Sequence, residues 1–222
     1  MIVPLRYIIT RMKRMTVPAW SLVILRVFVV GILCAIESRA LSEIPPLDPD
    51  QIAAAETRMW QAYYARDLQK LHSETAALLR AQFRIPPADA ERIARSLVGA
   101  AMKFAIGGTN YEQLVLPDLE MAYLQLRALL KLSFDPREAA RAELAWWVAR
   151  RTPGRDNPQV VGKEIARLYS IIYGAERPEF LEAGILRAEA AQLRDRGGPN
   201  CDWTKVENLL RRSYRVLAGA VR

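Results

Sequence analysis

The stretch DPREAARAELAWWVARRTPG, residues 135–154, contains the signals that decide the fold. Asp135 is a side-chain acceptor placed directly before Pro136, a combination typical of the first residues of a helix. Pro153 and Gly154 end the stretch, because proline cannot continue a helix and glycine accepts the left-handed backbone of a helix terminus. The stretch therefore predicts one helix over residues 136–151.

The same start and stop signals recur after residue 40. Capping residues precede prolines at Asp48-Pro49 and Asn157-Pro158, and glycines follow the apolar periodic runs. No run of alternating β-branched residues competes with this pattern. These signals predict an all-α, compact helical bundle of about seven helices, over residues 49–82, 88–105, 116–132, 136–151, 158–173, 178–195 and 202–220. The first of these helices is expected to run the whole length of the bundle.

Residues 1–40 differ in composition from the rest. They hold six basic residues and one acidic residue, a net charge of +5, so residues 41–222 carry +3 of the total of +8. From residue 12 a basic start, an apolar stretch and a small-residue ending follow one another, which are the three parts of a secretory signal. Cleavage after Ala40 is one outcome. The other is an uncleaved anchor over residues 17–36, which would hold Arg26 in the bilayer at a cost of about 3 kcal/mol.

The sequence thus predicts two parts. Residues 1–40 are a signal peptide or an N-terminal membrane anchor, and residues 41–222 are a helical-bundle domain. The domain is expected to be exported, either periplasmic or anchored at the inner membrane outside the cytoplasm.

The remaining sequence excludes several classes of function. No Lys/Arg run interleaved with aromatic residues suggests nucleic-acid binding. Cys201 is the only cysteine after residue 40, so this part of the chain has no internal disulfide. Gly-rich phosphate loops, Cys/His zinc spacings and nucleophile elbows are missing. We therefore assign no catalytic residue and no metal ligand, and the cofactor is unknown.

Two charged residues fall on the apolar side of helix 136–151. At about 100° per residue, Glu143 and Arg150 lie on the same side as Trp146 and Trp147. Removing an ion from water costs several kcal/mol, so unpaired charges are not expected there. The pattern predicts that both residues are paired, either with each other along the helix or with the acidic stripe of the first predicted helix across the bundle.

Acidic residues also project into the apolar arc of the first predicted helix. Glu56, Asp67 and Glu74 are separated by near-integral numbers of turns and lie beside Trp60 and Tyr63. We expect these carboxylates to form one inward stripe. The candidate ligand-binding cluster comprises Glu56, Trp60, Tyr63, Asp67, Glu74, Glu143, Trp147 and Arg150.

Several interpretations of this cluster stay open. It either fixes helix register through buried salt bridges, or lines a cavity for a small polar ligand. The function that these features favour is binding or assembly in the cell envelope, with a protein partner or a small ligand. The alternative is a carboxylate-based metal- or small-molecule-binding enzyme with its site between the first and fourth helices, although the Glu-x-x-His motif of di-metal bundles is missing. A third candidate is contact of the last helix's basic side, which holds Lys205, Arg211, Arg212 and Arg215, with anionic lipid.

Overall fold

The computed structural model describes residues 45–108 and 110–222, and within them the chain is all-α, as the sequence predicts. A one-turn helix and a 3₁₀ turn over Gly198–Asn200 accompany eight longer helices in these residues. The α-helices are α1 Pro49–Ala65, α2 Leu68–Phe83, α3 Pro87–Ile106, α4 Tyr111–Leu114, α5 Leu116–Leu130, α6 Pro136–Arg151, α7 Pro158–Tyr173, α8 Pro178–Gly197 and α9 Trp203–Ala220.

The predicted start signals cap the helices. The Asp48 carboxylate accepts a hydrogen bond from the Asp50 amide at 3.1 Å, and Asp135 accepts one from the Arg137 amide at 2.8 Å. Asn157 accepts one from the amide of Val160 at 3.0 Å. These bonds satisfy amides that have no partner inside the helix, which explains why α1, α6 and α7 begin where the sequence predicts.

The prediction of one long helix over residues 49–82 is wrong. Arg66 adopts the left-handed conformation, with φ 57° and ψ 27°, and ends α1. Asp67 then caps α2 by accepting a hydrogen bond from the Lys70 amide at 3.0 Å. The cap compensates for placing a non-glycine residue in a left-handed conformation, which costs about 1–2 kcal/mol.

The eight longer helices form a closed ring. Each packs against its neighbour in sequence, α3 contacts α5 past the one-turn α4, and α9 packs back against α1. An ion pair joins the last helix of the ring to the first, with Arg211 Nε of α9 2.8 Å from Asp50 Oδ1 of α1. Fully buried residues such as Ile52, Leu119 and Ile165 form the core from helices around the ring.

The last helix is amphipathic as predicted. Val206, Leu210 and Leu217 are fully buried, whereas Arg212 and Arg215 are exposed. Within residues 45–108 and 110–222, no helix combines the length and the apolar character that crossing a bilayer requires. The predicted signal peptide or anchor, residues 1–40, lies outside the described residues.

Candidate functional site

A cavity of about 330 Å³ opens between α1, α3, α6 and α8. Three arginines and two carboxylates stand among aromatic residues in its wall, and we call it the arginine cavity. Its lining residues are Met59, Trp60, Tyr63, Tyr64, Ala101, Phe104, Glu143, Trp146, Trp147, Arg150, Arg151, Arg187 and Asp195.

A second cavity of about 160 Å³, the central cavity, lies inside the ring and is lined by residues of all eight longer helices. Residues that line both cavities include Ala101, Glu143, Trp147 and Arg187. Most other residues of the central cavity are apolar, among them Leu79, Ile93 and others from α2, α3, α5 and α7. The arginine cavity is thus the more polar of two adjacent cavities.

Helix α6 forms one wall of the arginine cavity. Trp146 is buried, with 4% of its surface exposed, and its ring meets that of Trp147 edge to face at 6.2 Å. Phe104 of α3 packs against Trp147 at a ring distance of 5.3 Å. Because rings on α3 and α6 hold one another in place, this part of the wall is preformed.

Glu143 accepts two hydrogen bonds from neutral groups. Its Oε1 accepts from Trp147 Nε1 at 2.8 Å, and its Oε2 accepts from the Tyr123 hydroxyl at 2.9 Å. Burial, and after it the adjacent Glu143 carboxylate, hold the pKa of Tyr123 well above its ordinary value. Tyr123 therefore stays a proton donor to Glu143. A carboxylate has about four acceptor positions, so Glu143 retains capacity for a further donor.

Arg150 is bound at the rim of the cavity. Its guanidinium forms a fork with Asp195, in which Nη2 lies 2.9 Å from Oδ1 and Nε lies 3.2 Å from Oδ2. Nη2 also donates to the Tyr64 hydroxyl at 2.7 Å, and that hydroxyl donates to Asp195 at 2.8 Å. Burial acts to lower the pKa of Arg150, but Tyr64 and Asp195 outweigh it and the pKa is raised.

A second ion pair lies at the back of the same cavity. Glu56 is fully buried, and its Oε1 accepts from Arg187 Nε at 2.9 Å while its Oε2 accepts from the Tyr214 hydroxyl at 2.6 Å. The Arg187 guanidinium also lies 5.1 Å from the centre of the Trp146 ring. Burial opposes the charge of Arg187, yet Glu56 holds its pKa well above the ordinary value. Arg187 therefore stays charged in the interior.

Two hydrogen-bond donors of cavity-lining residues, the Arg151 guanidinium and the Trp146 indole, are less fully paired than the donors beside them. Arg151 donates to the Phe104 carbonyl at 2.7 Å and to the Tyr63 hydroxyl at 3.0 Å, but within the described residues no carboxylate lies at salt-bridge distance from it. Its guanidinium stacks 3.9 Å from the centre of the Phe104 ring. The buried indole nitrogen of Trp146 has no hydrogen-bond partner in this part of the chain.

Part of the predicted cluster lies at one site in the structure. Trp60, Tyr63, Glu143, Trp147 and Arg150 line the arginine cavity, and Glu56 lies behind them on Arg187.

The predicted stripe of three inward carboxylates is wrong. Asp67 is an exposed helix cap, because the chain breaks at Arg66 and α2 starts in a new phase. Glu74 lies at the surface edge of α2, with 18% of its side chain exposed, and binds Arg58 at 2.8 Å.

The predicted partners of Glu143 and Arg150 are also wrong. The two do not bind each other, and neither binds a carboxylate of α1 or α2; their partners are Tyr123, Trp147, Tyr64 and Asp195. Sequence reasoning missed Arg187 and Asp195. Helix α8 buries residues on several sides, from Phe180 and Gly184 to Ala191, so it has no single apolar face against which an inward charge would stand out.

No site for a metal is assembled in residues 45–108 and 110–222, where three or more His, Cys, Asp or Glu side chains never come close enough to share an ion. No family model matches the chain, and no curated protein or solved structure matches it.

Proposed function

We propose that the helical domain binds a small amphipathic anion in the arginine cavity. The apolar body of this ligand lies among the aromatic rings, and its anionic group lies at Arg151. The observation that carries the proposal is that Arg151 faces the cavity without a carboxylate partner among the described residues, whereas Arg150 and Arg187 each bind one.

The dimensions and lining of the cavity support this proposal. Its volume of about 330 Å³ lies in the range of small-molecule sites. Such sites are mainly apolar, with a few polar groups that orient the ligand, and here rings from α1, α3 and α6 surround the arginines.

Arg151 provides a charged partner for an anion. Asp195 is held by Arg150 and Arg187 is held by Glu56, so Arg151 is the arginine of the wall that no carboxylate of the described residues pairs. An anion at Arg151 forms a charge-assisted hydrogen bond. The spare acceptor positions of Glu143 provide a further polar contact for a ligand that carries both kinds of group.

The first experiment compares ligands that share one ring system and differ in charge. Binding of naphthalene-1-sulfonate, neutral 1-naphthol and cationic 1-naphthylmethylammonium is measured by calorimetry and by tryptophan fluorescence of the full chain. We expect the sulfonate to bind most tightly. Arg151→Gln should weaken binding of the sulfonate about tenfold, because it removes one charge-assisted hydrogen bond. The same change should alter naphthol binding little.

Two further variants separate the cavity from the rest of the surface. Ala101 lines both cavities, so Ala101→Leu should weaken binding of all three ligands because the larger side chain fills part of the arginine cavity. Arg212→Gln, a matched loss of an exposed arginine on α9, should leave binding unchanged. Preferential binding of the cation, or binding that Ala101→Leu does not affect, would contradict the proposal.

We further propose that this domain works in the cell envelope, behind the export segment of residues 1–40. The charge asymmetry and apolar stretch of that segment support export, with membrane contact through the segment wherever it is not cleaved. Fusion of an export-dependent reporter enzyme to the C-terminus tests the location. Reporter activity that is unchanged when residues 1–40 are deleted would contradict export.

A further inference from the structure

Helix α5 has one face without a partner in the described part of the chain. Its opposite side packs against α3 and α6, whereas five apolar residues along the free face are exposed. Leu114, Met121 and Leu124 are 48%, 48% and 42% exposed, which is unusual for large apolar side chains on one helix. The face, which we call the α5 seam, consists of Leu114, Pro117, Met121, Leu124 and Ala128.

The spacing of the α5 seam is that of a coiled coil. Its residues follow one another at intervals of three, four, three and four, a mean period of 3.5. Leu114 belongs to α4, but Val115 between α4 and α5 keeps helical dihedrals, with φ −102° and ψ −41°, so the seam runs on through the junction. A second helix can therefore pack along the whole seam.

The charges beside the seam suit a second copy of α5 in the antiparallel direction. Glu120 and Arg127 flank it, seven residues apart on the same side, and neither forms a salt bridge within residues 45–108 and 110–222. Around a two-fold axis between Met121 and Leu124, Glu120 of each copy faces Arg127 of the other. Both contacts are attractive, and the opposed helix dipoles are also favourable.

Other occupants fit these charges less well. The acidic residues Glu112, Asp118 and Glu120 near the start of the seam oppose contact with anionic lipid. The apolar stretch 17–36 contains a single charged residue, Arg26, so it does not match flanking charges of both signs. We propose that the α5 seam joins two copies of this chain in an antiparallel, two-fold symmetric dimer.

Sedimentation velocity of the full chain over a range of concentrations tests the dimer. The wild type should shift from one chain to two as concentration rises. Leu124→Glu should leave only single chains, because it places like charges in the seam. Leu181→Glu, a matched change at a 38% exposed leucine of α8, should not alter the dimer. Circular dichroism checks that each variant is folded, which is expected since both leucines are exposed.

A charge exchange tests the orientation. Glu120→Arg places two arginines against each other and Arg127→Glu places two glutamates against each other, so each should weaken dimerisation about tenfold or more. The double variant should restore it, because the pairs are then reversed. A chain that stays single at every concentration would overturn the proposal. So would a dimer that Leu124→Glu leaves intact. Neither outcome affects ligand binding in the arginine cavity, which is assayed separately.

Discussion

The ion pair of Glu56 and Arg187 leads to a prediction about single residues. Glu56 is fully buried and 12% of the Arg187 side chain is exposed, so loss of either partner leaves an uncompensated charge in the interior. We expect Glu56→Gln and Arg187→Met each to lower the free energy of unfolding by about 3–5 kcal/mol, and the double variant to lose much less than the sum. Urea unfolding measures these differences.

The surface pair of Arg58 and Glu74 provides the matched control. Arg58→Met breaks a pair of similar distance, but 46% of the Arg58 side chain is exposed, so the cost should stay below about 1 kcal/mol. Equal costs for Arg58→Met and Glu56→Gln would show that burial adds nothing to the Glu56 pair.

At the residue scale the sequence predicts which side chains of α6 point inward but not what they contact. Periodicity sorts the residues of one helix into faces, so it finds Glu143 and Arg150 beside the tryptophans. Their partners Tyr123, Tyr64 and Asp195 belong to other helices, and their positions depend on how the ring closes. The cluster could therefore be predicted in part, and its network could not.

The close packing of α7 on α8 leads to a prediction about these helices. A Cβ atom on Gly162 would lie 2.8 Å from the backbone of Ile185, and a Cβ on Gly184 would meet the carbonyl of Gly162. We expect Gly162→Ala to lower the free energy of unfolding by about 1–3 kcal/mol, although alanine favours a helix. Gly219→Ala on α9 meets open space, so it should raise that free energy by roughly 0.5–1 kcal/mol in the same denaturation assay. A stabilising Gly162→Ala would mean that the two helices move apart at little cost.

Helix boundaries could be predicted wherever a cap and a proline coincide. Helices α6 and α7 span the predicted residues, because Asp135 and Asn157 each precede a proline that cannot lie deeper in a helix. The break after α1 has no such proline. Helical periodicity places Asp67 on a face of one long helix. Aspartate, however, favours helix caps and turns over helix interiors, and only the left-handed Arg66 reveals the break.

At the scale of the molecule, the ring itself has no local signal. Contacts between α1 and α9 join residues about 160 positions apart, as in the hydrogen bond from Tyr214 to Glu56. Start signals and amphipathic faces predict a bundle, but they do not distinguish a filled bundle from a ring around two cavities. The arginine cavity therefore follows from the closure of the ring and could not be located from one helix alone.

The interior of the ring also determines how stability depends on alkaline pH. Burial raises the pKa of five tyrosines above the ordinary value of 10.0; they are Tyr64, Tyr123, Tyr169, Tyr173 and Tyr214. Below pH 10.0 these residues are neutral in both the folded and the unfolded chain. Above it, the unfolded chain loses protons that the folded chain retains, so the free energy of unfolding falls as pH rises, by at most about 1.4 kcal/mol per pH unit for each tyrosine.

We expect the domain to keep its stability up to about pH 10 and to unfold cooperatively at higher pH. Urea unfolding at a series of pH values measures the slope, and tyrosinate absorbance should rise together with the loss of helical circular dichroism. The Tyr173 hydroxyl has no hydrogen-bond partner within the described residues, so Tyr173→Phe should reduce the slope by one titrating group without destabilising the domain at neutral pH. Ionisation of the buried tyrosines near pH 10 with the helices intact would contradict this prediction, because it would show that water reaches these hydroxyls in the folded ring.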